Sequence, residues 1–317
     1  MGNRPQVTVL GSLNMDISVT VPRLPEPGAT VLGSPARFTP GGKGANQAVA
    51  AARLGAGVRM AGCVGDDDFG RRLLASLREE GVDAAAVRTV TGTPTGLAMI
   101  SVDHAGENLI TVAPGANREV SEEQAAAAAS GGDDVLVISA EIPVPAIRAA
   151  LAGQRGRARG RRCVLNLAPV PETPDGAAAI VAAGPDWLVV NETEAAAVLG
   201  RPVHGLAEAA RAAAALVAAG ARHAVVTAGA RGAALAGPDE SSHTIGGFRV
   251  AAVDTVGAGD TFVGALAVAL AAGIPAAEAV RAAAAAGAAA TTRHGAQAGM
   301  PYPADVRVTT GLIWPVP

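Results

Sequence analysis

The feature that most constrains this chain is an alternation of short β-branched runs with alanine-rich helical stretches. The runs are V-T-V-L at 7–10, V-R-M-A-G-C-V at 58–64, V-L-V-I-S at 135–139, C-V-L-N-L at 163–167, W-L-V-V at 187–190 and A-V-V-T at 224–227. Helical pattern fills the intervals, for example over about 44–54 and 68–80. Strands alternating with helices in this way predict an α/β fold, a parallel-core sheet covered by helices on both faces.

Two segments break the rhythm. Residues 16–39 and 94–113 read as hairpin-like strands joined by Pro/Gly turns with no helix between them, which predicts a small β-sheet flap over the main sheet. The tail after Pro301 shows no final helix in its pattern.

Composition narrows the partners. Lys+Arg 25 against Asp+Glu 28 gives a net charge of −3. No basic run suits a phosphate backbone, and seven aromatic residues offer little for base stacking, so nucleic acid is excluded as a partner. The first residues lack a secretory signal pattern. The most apolar stretch, Phe262 to Ala277, is shorter than a bilayer span and broken by Gly273 and Pro275, so it reads as a buried helix and no membrane partner is expected. Cys63 and Cys163 are isolated, as suits a reducing cytoplasm. Neither they nor histidines 104, 204, 223, 243 and 294 have zinc-ligand spacing.

In an open α/β sheet, ligands bind outside the carboxyl ends of the strands. Asn14 and Asp16 follow the first strand, and Glu141 follows the run at 135–139. Asn191, Glu192 and Glu194 follow the run at 187–190, and the turn T-A-G-A-R-G (227–232) follows the run at 224–227. Each alone fits a helix cap or turn former; together they favour a polar site. In V253-D-T-V-G-A-G-D-T-F, Gly257 to Gly259 lead into a helix expected to start near Asp260. Its unpaired N–H groups would face an anion. Asp260 is read either as the N-cap of that helix or as a base beside the anion hole, the combination that phosphoryl transfer to a hydroxyl requires. The usual nucleotide motifs are missing: G-G-K-G-A-N lacks Walker spacing, and no G-x-G-x-x-G opens a helix after the first strand.

The ordered set N14-M-D16, G41-G-K-G-A-N46, N191-E-T-E194, T227-A-G-A-R-G232 and D254-T-V-G-A-G-D260 resembles the sugar kinases of the ribokinase (phosphofructokinase-B type) superfamily, from about Val7 to about Met300. The resemblance implies a Rossmann-like α/β domain with a β-sheet lid. Residues 1–317 would form one carbohydrate kinase domain whose discontinuous lid is drawn from about 16–39 and 94–113. It further implies ATP-dependent phosphorylation of D-ribose at its 5-hydroxyl, a cytoplasmic location, and a homodimer through the lid.

By matching position, Asp260 would accept the hydroxyl proton, while Gly257, Ala258 and Gly259 form the anion hole. Asn14, Asp16, Gly42, Lys43, Asn46 and Glu141 would contact the sugar. Lys43 is the sole lysine in the chain; its ammonium is read as favouring anionic substrates or positioning the loop, against a structural reading in which it caps the turn or pairs with a carboxylate, and loop positioning is preferred. Asn191 and Glu194 would hold Mg²⁺, partly through water. Thr227, Ala228, Gly229, Ala230, Arg231 and Gly232, with Asn191, Gly259, Asp260 and Ala284, would contact the nucleotide. K⁺ would sit among Asp254, Val256, Ala290, Arg293, Gly295 and Gly299, mostly on backbone carbonyls, although Gly299 stands where the family commonly carries serine. Other readings are a sibling kinase acting on 2-deoxyribose, fructose or a nucleoside, and a non-catalytic sugar-binding regulator. A dehydrogenase would need the missing glycine fingerprint.

Overall fold

The computed structural model describes residues 4–154, 161–171, 176–238 and 242–316. In chain order its elements are β1 (Gln6–Leu10), β2 (Asn14–Val21), β3 (Arg37–Gly41), α1 (Lys43–Arg53), β4 (Gly57–Gly65), α2 (Asp68–Glu79), β5 (Val82–Val90), β6 (Gly96–Asp103) and β7 (Asn108–Ala113). There follow α3 (Glu122–Ser130), β8 (Val135–Ser139), α4 (Val144–Gln154), β9 (Arg162–Asn166), α5 (Gly176–Ala182), β10 (Trp187–Asn191), α6 (Glu192–Leu199), α7 (Gly205–Ala218) and β11 (His223–Thr227). The chain closes with β12 (Gly232–Ala236), β13 (Ser242–Gly246), α8 (Ala258–Ala271), α9 (Ala276–Ala290), α10 (Ala296–Gly299) and α11 (Pro303–Thr310).

Nine strands make the main sheet in the order β13-β12-β11-β10-β9-β8-β1-β4-β5. Pairing is parallel from β11 through to β5 and antiparallel only where β12 and β13 close the other edge. The apolar runs are explained by burial on both faces. Along β8, Val135 and Val137 join the core under α1, α8 and α9, whereas Leu136 and Ile138 join the core under α3, α4 and α7. The alternation of faces along a strand therefore leaves no solvated side. Alanine supplies most of the helix surface against these strands, which favours helix formation and lets the backbones lie close.

The second sheet has four strands in the order β3-β2-β6-β7. It is two antiparallel pairs laid side by side, β2 with β3 and β6 with β7, joined by parallel pairing of β2 with β6 from Asn14↔Gly96 to Val21↔Asp103. The predicted flap is present, with its strands starting at Asn14 rather than at 16.

Three sequence expectations are corrected. The helix expected near Asp260 starts at Ala258 with Gly257 as its cap, so Asp260 lies inside the first turn and is not the N-cap. Gly257 has φ 78°, the left-handed region open to glycine, and a side chain there would also meet the Ala296 backbone at 2.9 Å. The apolar helix of 262–277 ends at Ala271, before Gly273. The tail does form a final helix, α11, begun by Pro303 and fastened by a reciprocal cap between Tyr302 and Asp305. The sequence pattern passed over it because only Val306 of the helix is buried. Among the described residues no helix is long and apolar enough to cross a membrane.

Arg53 ties this end of the chain to α1 and α2. Its Nε and Nη2 donate to Glu80 at 2.8 and 2.5 Å, its Nη1 donates to the carbonyls of Gln297 and Met300 at 2.6 and 2.9 Å, and its guanidinium lies 5.3 Å from the Tyr302 ring centre. Removing the fork strands a carboxylate and two carbonyls. Because the Arg53 and Glu80 side chains keep 12% and 22% exposure, the loss should fall below that of a fully buried pair. Arg53→Ala is expected to cost about 2–3 kcal/mol. A urea midpoint lowered at constant m value checks this.

Candidate active site

The carboxyl ends of β1, β8, β9, β10 and β11 bring the polar residues together, and the register shows how. Ser139 stands beside Asn166, Val189 beside Asn166, and Asn191 beside Thr227. The lid strand β2 adds Asn14 and Asp16 from above, and α1 and α8 meet beneath them.

Asp260 is the centre of the arrangement. It is 9% exposed, and each carboxylate oxygen accepts from an amide: Oδ2 from Asn46 Nδ2 at 2.9 Å and Oδ1 from Gln47 Nε2 at 3.1 Å. Asn46 is itself oriented, since its Oδ1 accepts from Gln297 Nε2 at 3.1 Å. The N–H of Ala258 donates to Thr255 O at 3.2 Å. That leaves the N–H groups of Gly259 and Asp260 as open donors at the start of α8, a 14-residue helix whose dipole favours an anion there.

Glu141 Oε2 accepts from Ser12 Oγ at 2.5 Å and from the Lys43 N–H at 3.3 Å. The lid contributes Asn14, whose Oδ1 accepts from Asn117 Nδ2 at 2.7 Å. Asn117 is held by both backbone groups of Leu13, at 2.9 and 3.2 Å. Its orientation fixes that of Asn14, which leaves Asn14 Nδ2 free to donate. Asp16 is pushed up to about 7, first by burial and then by Glu141 and Asp260, with Lys43 acting in the opposite sense. Gly42 caps α1, and Lys43 begins it.

The Lys43 ammonium is raised above its ordinary range, chiefly by Asp260 against the cost of burial, with further help from Glu141, Glu194 and Asp16. Among the described residues it forms no ion pair within 4.0 Å. It is thus a central charge shared by four carboxylates, and the carboxylate pair considered from sequence is not formed.

At the end of β10, Asn191 and Glu194 form a reciprocal cap of α6. Asn191 N–H donates to Glu194 Oε2 and Glu194 N–H to Asn191 Oδ1, both at 2.8 Å. Burial raises the Glu194 carboxyl above the usual range, opposed by the Asn191 N–H and Lys43. Its second oxygen makes no hydrogen bond among the described residues. One such carboxylate with water fits Mg²⁺, which keeps much of its hydration shell. The turn 227–232 closes through Ala228 N–H to Gly232 O at 2.8 Å, and Arg231 pairs with Glu192 at 2.5 Å. Ala284 lies partly buried on α9.

The segment around Gly299 fits a monovalent cation. A side chain built at Gly299 would meet the carbonyl oxygens of Ala290 and Arg293 at 3.2 Å each, so two carbonyls converge on the space that glycine leaves. Asp254 joins the two loops by accepting from Val256 N–H at 3.0 Å and Gly295 N–H at 2.8 Å. The Arg293 guanidinium is turned away onto Asp305 at 2.7 Å. The two nearest atoms to that space are carbonyl oxygens, the ligand type that suits a hard cation.

Sequence reading missed Gln47, Asn117, Asn166, Ser12 and Gln297. Gln47 was legible only as the residue after Asn46, one step along the same helix, and Ser12 and Gln297 stand within two residues of Asn14 and of Gly295 and Gly299; Asn117 and Asn166 lie outside the motifs.

The description "pfkB family carbohydrate kinase" matches residues 4–303. The chain belongs to that family. This carbohydrate kinase is 37% identical to the ribokinase of Haemophilus influenzae over 94% of its own length and 96% of the relative's. It is 36% identical to the ribokinase of Bacillus subtilis, over 93% and 96%. Among solved structures, Arabidopsis thaliana ribokinase complexed with ribose and ATP superposes with a TM-score of 0.81 at 30% identity, covering 96% of the kinase and 98% of the plant chain.

Proposed function

We propose that this kinase transfers the γ-phosphoryl group of ATP to the 5-hydroxyl of D-ribose, giving ribose 5-phosphate and ADP. The observation that carries the reading is the buried Asp260 carboxylate beside the open N–H groups that begin α8, in electrostatic reach of Asp16, Lys43 and Glu141. The similarity to ribokinases along nearly the whole chain supports the substrate.

Asp260 takes the hydroxyl proton late, as the oxygen–phosphorus bond forms, because a carboxylate is too weak a base to ionise an alcohol beforehand. The N–H groups of Gly259 and Asp260 donate to the transferred phosphoryl oxygens, where charge gathers. On the sugar side Asn14 Nδ2 donates and the second oxygen of Glu141 accepts, while Asp16 accepts in its ionised form. A ribose hydroxyl can serve either partner. Glu194 and Asn191 would hold Mg²⁺, largely through water, and that ion supplies neutralisation of the phosphate charge. Asp254 and the carbonyls of Val256, Ala290, Arg293 and Gly295 would hold K⁺ beside the anion hole, with Gly299 adding space rather than a ligand. Residues 227–232 and Ala284 would flank the nucleotide. The kinase is read as one cytoplasmic domain, with a lid formed by β2, β3, β6 and β7. Phe38, Met99, Leu109, Ile110 and Val112 expose apolar surface on that lid, which supports a homodimer through it.

The test is ADP release with ATP and Mg²⁺, with and without K⁺, across ribose, 2-deoxyribose, fructose, adenosine and no acceptor. Ribose-dependent release stimulated by K⁺ is expected. Release with another acceptor alone would replace the substrate, and binding of ribose without turnover would favour a non-catalytic role.

A further inference from the structure

Gln47 is wholly buried on α1, and its amide spends both hydrogens in one direction. Nε2 donates to Asp260 Oδ1 at 3.1 Å and to Asn166 Oδ1 at 3.0 Å. Asn166, at the carboxyl end of β9, cannot be turned round, because its Nδ2 donates to Val189 O at 3.2 Å. The direction of each amide is therefore imposed by the next, from the β10 backbone through Asn166 and Gln47 to the carboxylate.

Two further observations set Gln47 apart from a merely satisfied core residue. Its Oε1 is buried with no hydrogen-bond partner among the described residues, so the amide holds this direction at a cost that an apolar side chain of the same shape would avoid. The helices also meet here without a spacer. A side chain at Gly264, one turn beyond Asp260 on α8, would come within 2.7 Å of the Gln47 carbonyl oxygen and 2.9 Å of Ala50 Cβ. The contact presses the carboxylate-bearing turn of α8 onto the amides of α1.

We propose that Gln47, held in direction by Asn166, is a positioning residue for Asp260. It sets which face of the carboxylate meets the acceptor hydroxyl. The inference rests on the reading of Asp260 as the base. Asn46 holds the other oxygen, so loss of Gln47 leaves the carboxylate hinged on one amide and free to turn about its Cβ–Cγ bond. A displacement of about 1 Å at a reacting group lowers rate by about 10²-fold.

The test compares Gln47→Met, Asn166→Ala and Asp260→Ala with the parent in steady-state kinetics, ribose calorimetry and thermal melting. Gln47→Met is expected to lower kcat by about 10- to 100-fold with ribose affinity and KM changed less than threefold, since neither Gln47 nor Asn166 faces the sugar. Asn166→Ala should reproduce the kcat loss in weaker form, and combining Gln47→Met with Asp260→Ala should add nothing to the loss from Asp260→Ala alone. A folded Gln47→Met with parental kcat would overturn the proposal, as would a rise in KM that accounts for the whole loss. If neither substituted chain folds, the amides serve stability and the proposal fails too. Should Asp260→Ala itself retain kcat, the base reading falls first and takes this inference with it.

Discussion

Asp260→Asn is expected to lower kcat by about 10²–10⁴-fold, the usual contribution of general-base assistance, while ribose still binds. The substitution keeps the shape of the side chain and removes the charge. It also breaks the local polarity, because Asn46 Nδ2 and Gln47 Nε2 both donate to this position and a single amide offers one acceptor and one donor. One of the two facing donors must lose its partner or turn. Asp260→Ala removes the clash and leaves both donors unpaired, so the two variants should share the loss in kcat but differ in thermal stability. The KM for ribose should change far less than kcat, because proton acceptance matters in the transition state and not in the ground state. Turnover within tenfold of the parent in both variants would take Asp260 out of the reaction.

Much of the frame behind that expectation is legible in the chain itself. The runs at 7–10, 135–139, 187–190 and 224–227 are strands because apolar side chains are needed on both faces of a parallel sheet, and a double requirement leaves a strong pattern. The antiparallel edge is quieter: β13, S-H-T-I-G, is mostly exposed, so nothing compels it to be apolar. The helix α11 was hidden for a similar reason, being held by Pro303, the Tyr302–Asp305 cap and the Arg293 pair rather than by a buried stripe. Motifs led to Asp260, Asn46, Asn191 and Glu194 because each sits in a short, unusual string. The residues that orient them come from elsewhere: Asn117 stands 103 positions from the Asn14 it holds, and Gln297 stands 251 from Asn46. Such partners are joined only by the topology, and a single amide in a loop looks like any turn former.

Asp16 should make sugar affinity depend on pH in the neutral range. Burial, reinforced by Glu141 and Asp260, pushes its carboxyl up to about 7, and Lys43 offsets only part of that. Ionised, Asp16 offers only acceptors and can take two sugar hydroxyls; protonated, it loses part of that capacity. The KM for ribose is therefore expected to fall as pH rises from 6 to 8, with a change approaching tenfold per pH unit on the acid side, as one proton requires. Asp16→Asn should remove this dependence. Asp16→Ala should raise KM by about 10²-fold or more, since each hydrogen bond to a charged group is worth about 1.5–3 kcal/mol and the sugar hydroxyls would be left unpaired. The stability of the free kinase has the opposite slope. A carboxyl raised in the folded state contributes stability that is present below its unfolded value, near 4, and lost as pH rises through about 7. Between pH 6 and 8 the parent should thus lose stability that Asp16→Asn retains, even as its grip on ribose tightens. A ribose KM that is flat across this range in the parent, or equally steep in Asp16→Asn, would assign the neutral titration to another group. If the slopes in KM and in stability both vanish with Asp16, the carboxylate cluster is strained before sugar binds and binding relieves it, with Lys43 the positive charge shared among the four carboxylates.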